Sequence, residues 1–152
     1  MTYDIENFDE LEGFSEVEYS SGSSDITLVA GIKLVLHEKA VEHLHIAKDD
    51  LGRKGMARAR IKINTNKKEL VLFKETGTVG TVLGGKLSAV ELYTATTGKK
   101  ILTLIGKKLT GSGTIGFTDI EYVRTTAGIP FLVIKLESYT AKSGVFVENT
   151  NQ

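Results

Sequence analysis

The chain contains no cysteine, no tryptophan and a single proline among its 152 residues. The absence of cysteine excludes disulfide bonds, thiol catalysis and cysteine–zinc sites. No apolar run approaches the roughly 18 residues of a membrane-spanning helix, and the amino terminus lacks the basic-then-apolar order of a signal peptide. We therefore expect a cytoplasmic protein that does not associate with membranes.

What the chain does contain favours strands over long helices. Glycine is abundant at 16 residues, apolar residues make up 41% of the chain, and threonine and valine are frequent. This composition is typical of short strands joined by glycine turns. The predicted fold class is mainly β with one or two short helices, a β-rich α+β fold, with a single domain over residues 25–152.

The formal net charge of zero hides an uneven distribution. Residues 1–25 hold eight of the 19 acids and no lysine or arginine, so residues 26–152 carry all 19 basic residues against 11 acids. We interpret residues 1–24 as an acidic flexible arm and the remainder as a basic body. Such an arm can fold back on the body, compete with an anionic ligand, or contact a basic partner.

The hydrophobic pattern predicts a strand–helix–hairpin unit. Ile26–Leu36 has one wholly apolar alternating face, which indicates a long strand bent at Gly31. A short helix from about Glu38 to His45 and a β-hairpin over Arg58–Lys74 follow. The later predicted elements are strands over 87–93, 101–105, 114–117 and 131–136, a turn over 97–100, and a short helix over 119–124. These suggest a degenerate second copy of the unit.

The hairpin is the strongest functional candidate because its first strand alternates basic with apolar residues. Same-face neighbours on a strand stand about 6.6–6.8 Å apart, so its basic side chains form a row that can neutralise phosphates. A two-stranded ribbon also fits the major groove. The predicted nucleic-acid-binding residues are Arg53, Lys54, Arg58, Arg60, Lys62, Lys67 and Lys68.

Three sequence patterns are similar to cofactor, phosphate or metal sites, but each of them is incomplete. Gly111-x-Gly113-x-x-Gly116 has the spacing of a dinucleotide fingerprint, but Lys107–Thr110 intervenes after the preceding predicted strand and no long helix follows. Gly80-x4-Gly85-Lys86 lacks the serine or threonine that a phosphate-binding loop needs after its lysine. The three histidines complete no metal site. We expect no cofactor, no metal and no enzymatic activity.

The segment Ile32–Ile46, together with Arg58–Phe73, resembles one half of an AbrB/MazE-type swapped-hairpin regulator. It departs from that family at His45, where glycine is usual, and in the long insertion Lys48–Ala57. The resemblance implies a homodimeric, DNA-binding transcription regulator that contacts phosphates through basic strand or loop residues. The order of elements is also similar to small phage proteins of unassigned role.

The leading hypothesis is thus a nucleic-acid-binding regulatory protein that binds duplex DNA through the basic hairpin. The first alternative is a phage-type interaction protein or inhibitor that binds a host protein through its acidic arm. The arm residues predicted to make that contact are Phe8, Asp9, Glu10, Leu11, Glu12 and Phe14. A structural or assembly protein is a further alternative, since Gly/Thr-rich strands leave exposed edges.

Overall fold

The computed structural model describes residues 2–3 and 25–147 of the protein, which form strands, two α-helices and two short 3-10 turns. The strands are β1 (Thr2–Tyr3), β2 (Ile26–Val29), β3 (Lys33–His37), β4 (Ala57–Asn64), β5 (Glu69–Thr76), β6 (Thr81–Val82), β7 (Gly84–Lys86), β8 (Ala89–Tyr93), β9 (Lys107–Phe117), β10 (Ile120–Thr125), β11 (Pro130–Lys135) and β12 (Tyr139–Val147). The helices are α1 (Glu38–His43) and α2 (Ala95–Ile105), and the 3-10 turns are Lys48–Asp50 and Leu136–Ser138.

The strands form two six-stranded sheets that share one hydrophobic core. Sheet 1 has the order β1-β10-β11-β5-β4-β6, and sheet 2 has the order β12-β9-β2-β3-β8-β7. Inward side chains of both sheets, such as Leu72 on β5 and Leu34 on β3, belong to a single buried cluster, which also takes residues from both helices. The prediction of a β-rich α+β fold is confirmed.

The long strand predicted over Ile26–Leu36 is wrong, because this segment forms the hairpin β2–β3. Ala30 and Gly31 have φ of 57° and 70°, and the Ile32 amide donates to the Val29 carbonyl over 3.1 Å. Two successive residues in the left-handed region are what a tight two-residue hairpin turn requires. The apolar face is continuous in sequence because both arms of the hairpin face the same core.

The predicted turn over 97–100 and strand over 101–105 are also wrong, because both lie in the single helix α2. Threonine and isoleucine have modest helix propensity and a Gly-Lys-Lys step resembles a turn, so local preference pointed away from a helix. Ile101 is fully buried in the core, and Leu102 and Ile105 pack against it. Tertiary packing of this apolar face supplies the stability that propensity does not.

The predicted helix over 119–124 is the strand β10, which pairs with β11 from Ile120↔Ile134 to Arg124↔Pro130. Four successive residues, Ile120 to Val123, are buried. Val123 is buried on the face opposite the shared core and breaks the alternation that Ile120, Glu121 and Tyr122 begin, which explains the error. The short helix predicted from Glu38 is confirmed as α1, and the hairpin over 58–74 is confirmed as β4–β5.

The strand–helix–strand order does recur: β3–α1–β4 is the copy predicted between residues 26 and 73, but the second copy is β8–α2–β9 and not the segment predicted over 114–136. Helix α1 approaches β10 and β11, where His43 Nε2 lies 2.9 Å from the Val123 carbonyl and 3.1 Å from the Phe131 carbonyl. Helix α2 packs against β9, β3 and the 3-10 turn after β11. Neither helix of the described ranges is long and apolar enough to cross a membrane.

Candidate nucleic-acid interface

The β4–β5 hairpin sets its basic and apolar residues on opposite faces, as predicted. The two strands pair in register from Ala57↔Thr76 to Asn64↔Glu69. Ala59 is fully buried in the core, and Ile61 packs against it. Because side chains alternate along a strand, Arg58, Arg60 and Lys62 project from the other face, which we call the outer face of sheet 1.

Arg58 is not an exposed cation, although it lies on that face. The residue is only 7% exposed, and its guanidinium donates to the backbone carbonyls of Gly55, Ala57 and Arg53 over 3.1, 2.9 and 2.7 Å. These bonds hold the loop after the first 3-10 turn against the start of β4. The straight row of three solvated cations predicted from the sequence is therefore shortened, and the surface proposed below leaves Arg58 out.

We expect Arg58→Ala to lower the free energy of unfolding by about 2 kcal/mol, because it leaves three carbonyls without their charged donor. Arg60→Ala is the matched control. It removes an exposed ion pair in which Arg60 Nη1 lies 3.0 Å from Glu75 Oε2, and such pairs contribute less than about 1 kcal/mol. Urea unfolding followed by circular dichroism measures both. Equal losses in the two variants would contradict the structural role of Arg58.

The remaining predicted residues lie at opposite ends of the hairpin. Arg53 and Lys54 are exposed on the loop before β4, whereas Lys67 and Lys68 lie on the turn that joins β4 to β5. The eight residues of β4 separate the two pairs by roughly 23 Å at about 3.3 Å per residue. Lys68 Nζ lies 3.3 Å from Glu137 Oε2. The structure thus does not gather the seven residues into one site.

A second basic surface, which the sequence analysis missed, lies beside the hairpin turn. Helix α2 carries Lys99 and Lys100, and β9 begins with Lys107 and Lys108. We call these four lysines the α2 basic surface. The signal in the sequence was the stretch from Leu92 to Thr118, which contains four lysines and no acid.

Two adjoining grooves connect these lysines. One, of about 290 Å³, is lined by Lys99, Lys100 and Thr103 of α2, by Leu104 and by Thr65 of the hairpin turn. The other has a volume of about 380 Å³ and lies between α2, the β2–β3 turn and the start of β9. Its lining residues are Ala30, Gly31, Lys99, Leu102, Thr103, Lys107, Lys108 and Leu109. Lys99 and Thr103 border both grooves, so the four lysines form one continuous surface.

The lysines of this surface are available for an anion. Within residues 2–3 and 25–147, none of the four pairs with a carboxylate, whereas Lys33, Lys74 and Lys135 each do. Lys107 Nζ additionally lies 5.8 Å from the centre of the Tyr139 ring. Four cations without neutralising acids raise the local positive potential, and such a potential attracts polyanions.

The two glycine patterns and the histidines form no catalytic geometry within the described ranges 2–3 and 25–147. Gly111 and Gly113 lie inside β9, and Gly85 and Lys86 lie on β7 with no helix after them. No group of histidine, aspartate and glutamate in the part of the chain that the structure describes could hold a metal ion. His37 Nε2 lies 3.4 Å from Thr27 Oγ1.

The predicted arm contacts Phe8, Asp9, Glu10, Leu11, Glu12 and Phe14 lie outside the described residues. His45, where the AbrB/MazE family usually has glycine, has φ of 58°, in the left-handed region that glycine favours. The resemblance to that family stays a prediction.

No family model, curated protein or solved structure matches this chain.

Proposed function

We propose that this protein binds nucleic acid through its phosphate backbone, using the α2 basic surface together with the adjoining β4–β5 turn. The observation that carries the proposal is the continuous surface of Lys99, Lys100, Lys107 and Lys108, which no described acid neutralises. Lys67 and Lys68 extend it from the hairpin turn. The sequence predicted an interface on the strands of the hairpin, whereas the proposed interface lies at the tip of the hairpin and beside α2.

The chemistry of this surface suits phosphate contact more than base reading. Lysine ammonium groups are point charges that bind phosphate oxygens and release condensed counterions, whereas sequence-specific contacts come mostly from arginine and amide side chains that reach base edges. We infer binding with little sequence preference, to duplex DNA in the first instance.

Regulation of transcription and a dimeric state belong to this proposal as consequences of the family resemblance. A dimer places two copies of the basic surface on one duplex, and the combined affinity then exceeds that of either copy.

Salt dependence tests the proposal directly. Four lysine–phosphate contacts predict a slope of about −3.6 for log affinity against log salt. Affinity for a labelled duplex of about 20 base pairs should then fall on the order of a hundredfold between about 50 and 200 mM KCl. Fluorescence anisotropy measures this. No binding at the lowest salt, or a slope near zero, would overturn the proposal.

A further inference from the structure

A third groove lies beside the edge strands of both sheets. Strand β6 is the last strand of sheet 1 and β7 is the last strand of sheet 2, and the fully buried Leu83 joins them. The groove has a volume of about 530 Å³, which is in the usual range of small-molecule sites. Its lining residues are Arg53, Gly80, Thr81, Val82, Gly84, Glu91 and Tyr93. The α2 basic surface contributes none of them.

Tyr93 presents an accessible aromatic ring to this groove. It is 59% exposed, and within the described ranges only Phe146, at 56%, is another aromatic residue exposed by more than half. The Tyr93 hydroxyl donates to Glu91 Oε1 over 3.3 Å, and Lys33 Nζ lies 5.5 Å from the centre of the ring. These contacts restrain the ring but leave most of it uncovered. A restrained, exposed ring is suited to stacking on another planar group.

The charges around the groove favour an anion. Lys33 Nζ lies 3.1 Å from Glu91 Oε2, so the carboxylate that borders the groove is already neutralised. Arg53 is exposed, and it pairs with no carboxylate in the part of the chain that the structure describes. The planar guanidinium of arginine binds phosphate through parallel N–H···O bonds. The groove therefore combines a phosphate-binding group with a stacking group.

The backbone that carries Arg53 is held in place beside the groove. The Arg53 carbonyl accepts a hydrogen bond of 2.7 Å from the guanidinium of the buried Arg58. The preceding amide, that of Gly52, donates to the Leu83 carbonyl over 2.7 Å, and Leu83 lies between β6 and β7. These two bonds attach the loop to the hairpin on one side and to the edge strands on the other. Arg58 thus positions the loop from which Arg53 reaches the groove.

We propose that this groove binds one unpaired nucleotide, with its base stacked on Tyr93 and its phosphate on Arg53. The occupant is unpaired because the faces of bases inside a duplex are already covered by their neighbours. This inference rests on the proposed function and extends it to a single strand that adjoins the duplex.

The groove lies close to the α2 basic surface in the chain. Tyr93 precedes the start of α2 at Ala95 by two residues, and Lys99 follows Ala95 by four. From the rise of an extended chain and of a helix, the Cα atoms of Tyr93 and Lys99 are at most about 13 Å apart. Four nucleotides of one strand cover about 14 Å at roughly 3.4 Å each. A short single strand can therefore reach from the lysines to the groove.

The test compares two labelled duplexes of the same sequence by fluorescence anisotropy with the full-length protein. One is blunt, and the other is extended at one 3′ end by about four unpaired thymidines, a short site for single-strand binding. We expect the extension to tighten binding on the order of tenfold through stacking of one base. An abasic extension, which adds the same phosphates without bases, should give a much smaller gain. Equal affinity for the blunt and thymidine-extended duplexes would overturn this proposal and leave the proposed function standing.

Substitutions then locate the base. Tyr93→Ala should abolish the gain from the extension without changing the affinity for the blunt duplex, whereas Tyr93→Phe keeps the ring and should retain most of the gain. Phe146→Ala is the matched control, because it removes the other exposed aromatic side chain, on β12 at the opposite edge of sheet 2. It should retain the gain. A gain that survives Tyr93→Ala, or that Phe146→Ala removes, would place the base elsewhere and contradict the proposal.

A second pair of variants locates the phosphate. Arg53→Gln should reduce the gain from the extension, whereas Lys54→Gln, at the next exposed residue of the same loop, should not, because Lys54 does not line the groove. Equal effects of the two would assign the phosphate to another group. If only the extended duplex binds and Tyr93→Ala abolishes that binding, the groove is supported and the α2 basic surface is not. If neither duplex binds, both proposals are wrong.

Discussion

Gly98→Ala should lower the free energy of unfolding by about 3 kcal/mol or more. In most helix interiors this substitution stabilises the helix by about 1 kcal/mol, so the expected sign is reversed. The reason is the contact between α2 and the β2–β3 turn. A Cβ atom on Gly98 would lie 2.1 Å from the Gly31 carbonyl oxygen, so that one backbone must move away from the other.

The Gly98→Ala substitution should also disturb the α2 basic surface. Lys99 and Lys100 follow Gly98 directly, and Gly31 lines the groove that contains Lys107 and Lys108. Displacement of α2 should therefore weaken DNA binding as well as stability. Both effects are measurable, the first by urea unfolding and the second by anisotropy at fixed salt.

Gly111→Ala is the matched control for this prediction. Gly111 is exposed on β9, has no positive φ, and has no atom within 4 Å of its added Cβ. We expect its free energy of unfolding to change by less than about 0.5 kcal/mol. A Gly98→Ala protein as stable as the Gly111→Ala protein would show that α2 does not rest on the β2–β3 turn.

Removing the four lysines of the α2 basic surface should have the largest effect on function. Lys99→Ala, Lys100→Ala, Lys107→Ala and Lys108→Ala together should flatten the salt slope by about 3.6, or about 0.9 for each lost phosphate contact. Affinity at about 50 mM salt should fall on the order of a hundredfold. The fold should be retained, because the substitutions remove no ion pair within residues 2–3 and 25–147.

A control variant with the same change in net charge distinguishes binding at the α2 basic surface from a general attraction between the whole protein and DNA. Its substitutions are Lys48→Ala, Arg53→Ala, Lys54→Ala and Lys86→Ala, all at exposed residues that line neither groove beside α2. This control should keep most of the affinity and the slope. If both variants lose affinity equally, binding follows net charge alone and the α2 surface is not the interface.

Local pattern was sufficient for two elements that each keep one face in water. The alternation of Arg58–Ile63 predicted the β4–β5 hairpin correctly, and the apolar spacing of Ala40, Val41 and Leu44 predicted α1. It failed at β10, where the buried Val123 interrupts the alternation of polar and apolar residues. It failed again at α2, whose weak propensity is overcome by packing of Ile101 into the core.

The candidate site, like the fold, could be predicted only in part from the sequence. The sequence predicted a basic body and a basic hairpin, but side-chain direction decided which charges are available. Arg58 turns back to three backbone carbonyls, a contact that depends on the conformation of the preceding loop. The lysines of α2 and β9 join the hairpin turn only because Thr65 and Lys99 border one groove.

The sequence by itself determined the absence of thiol chemistry, the β-rich composition and the uneven distribution of charge, because these depend only on which residues are present and how they alternate. Tertiary structure alone decided that β10 and β11 bury apolar side chains on both faces, that Arg58 leaves the basic row of β4, and that a separate group of lysines gathers around α2. Burial and proximity arise from pairing between residues far apart in the chain, such as Val71 with Val133, and no local pattern encodes those distances.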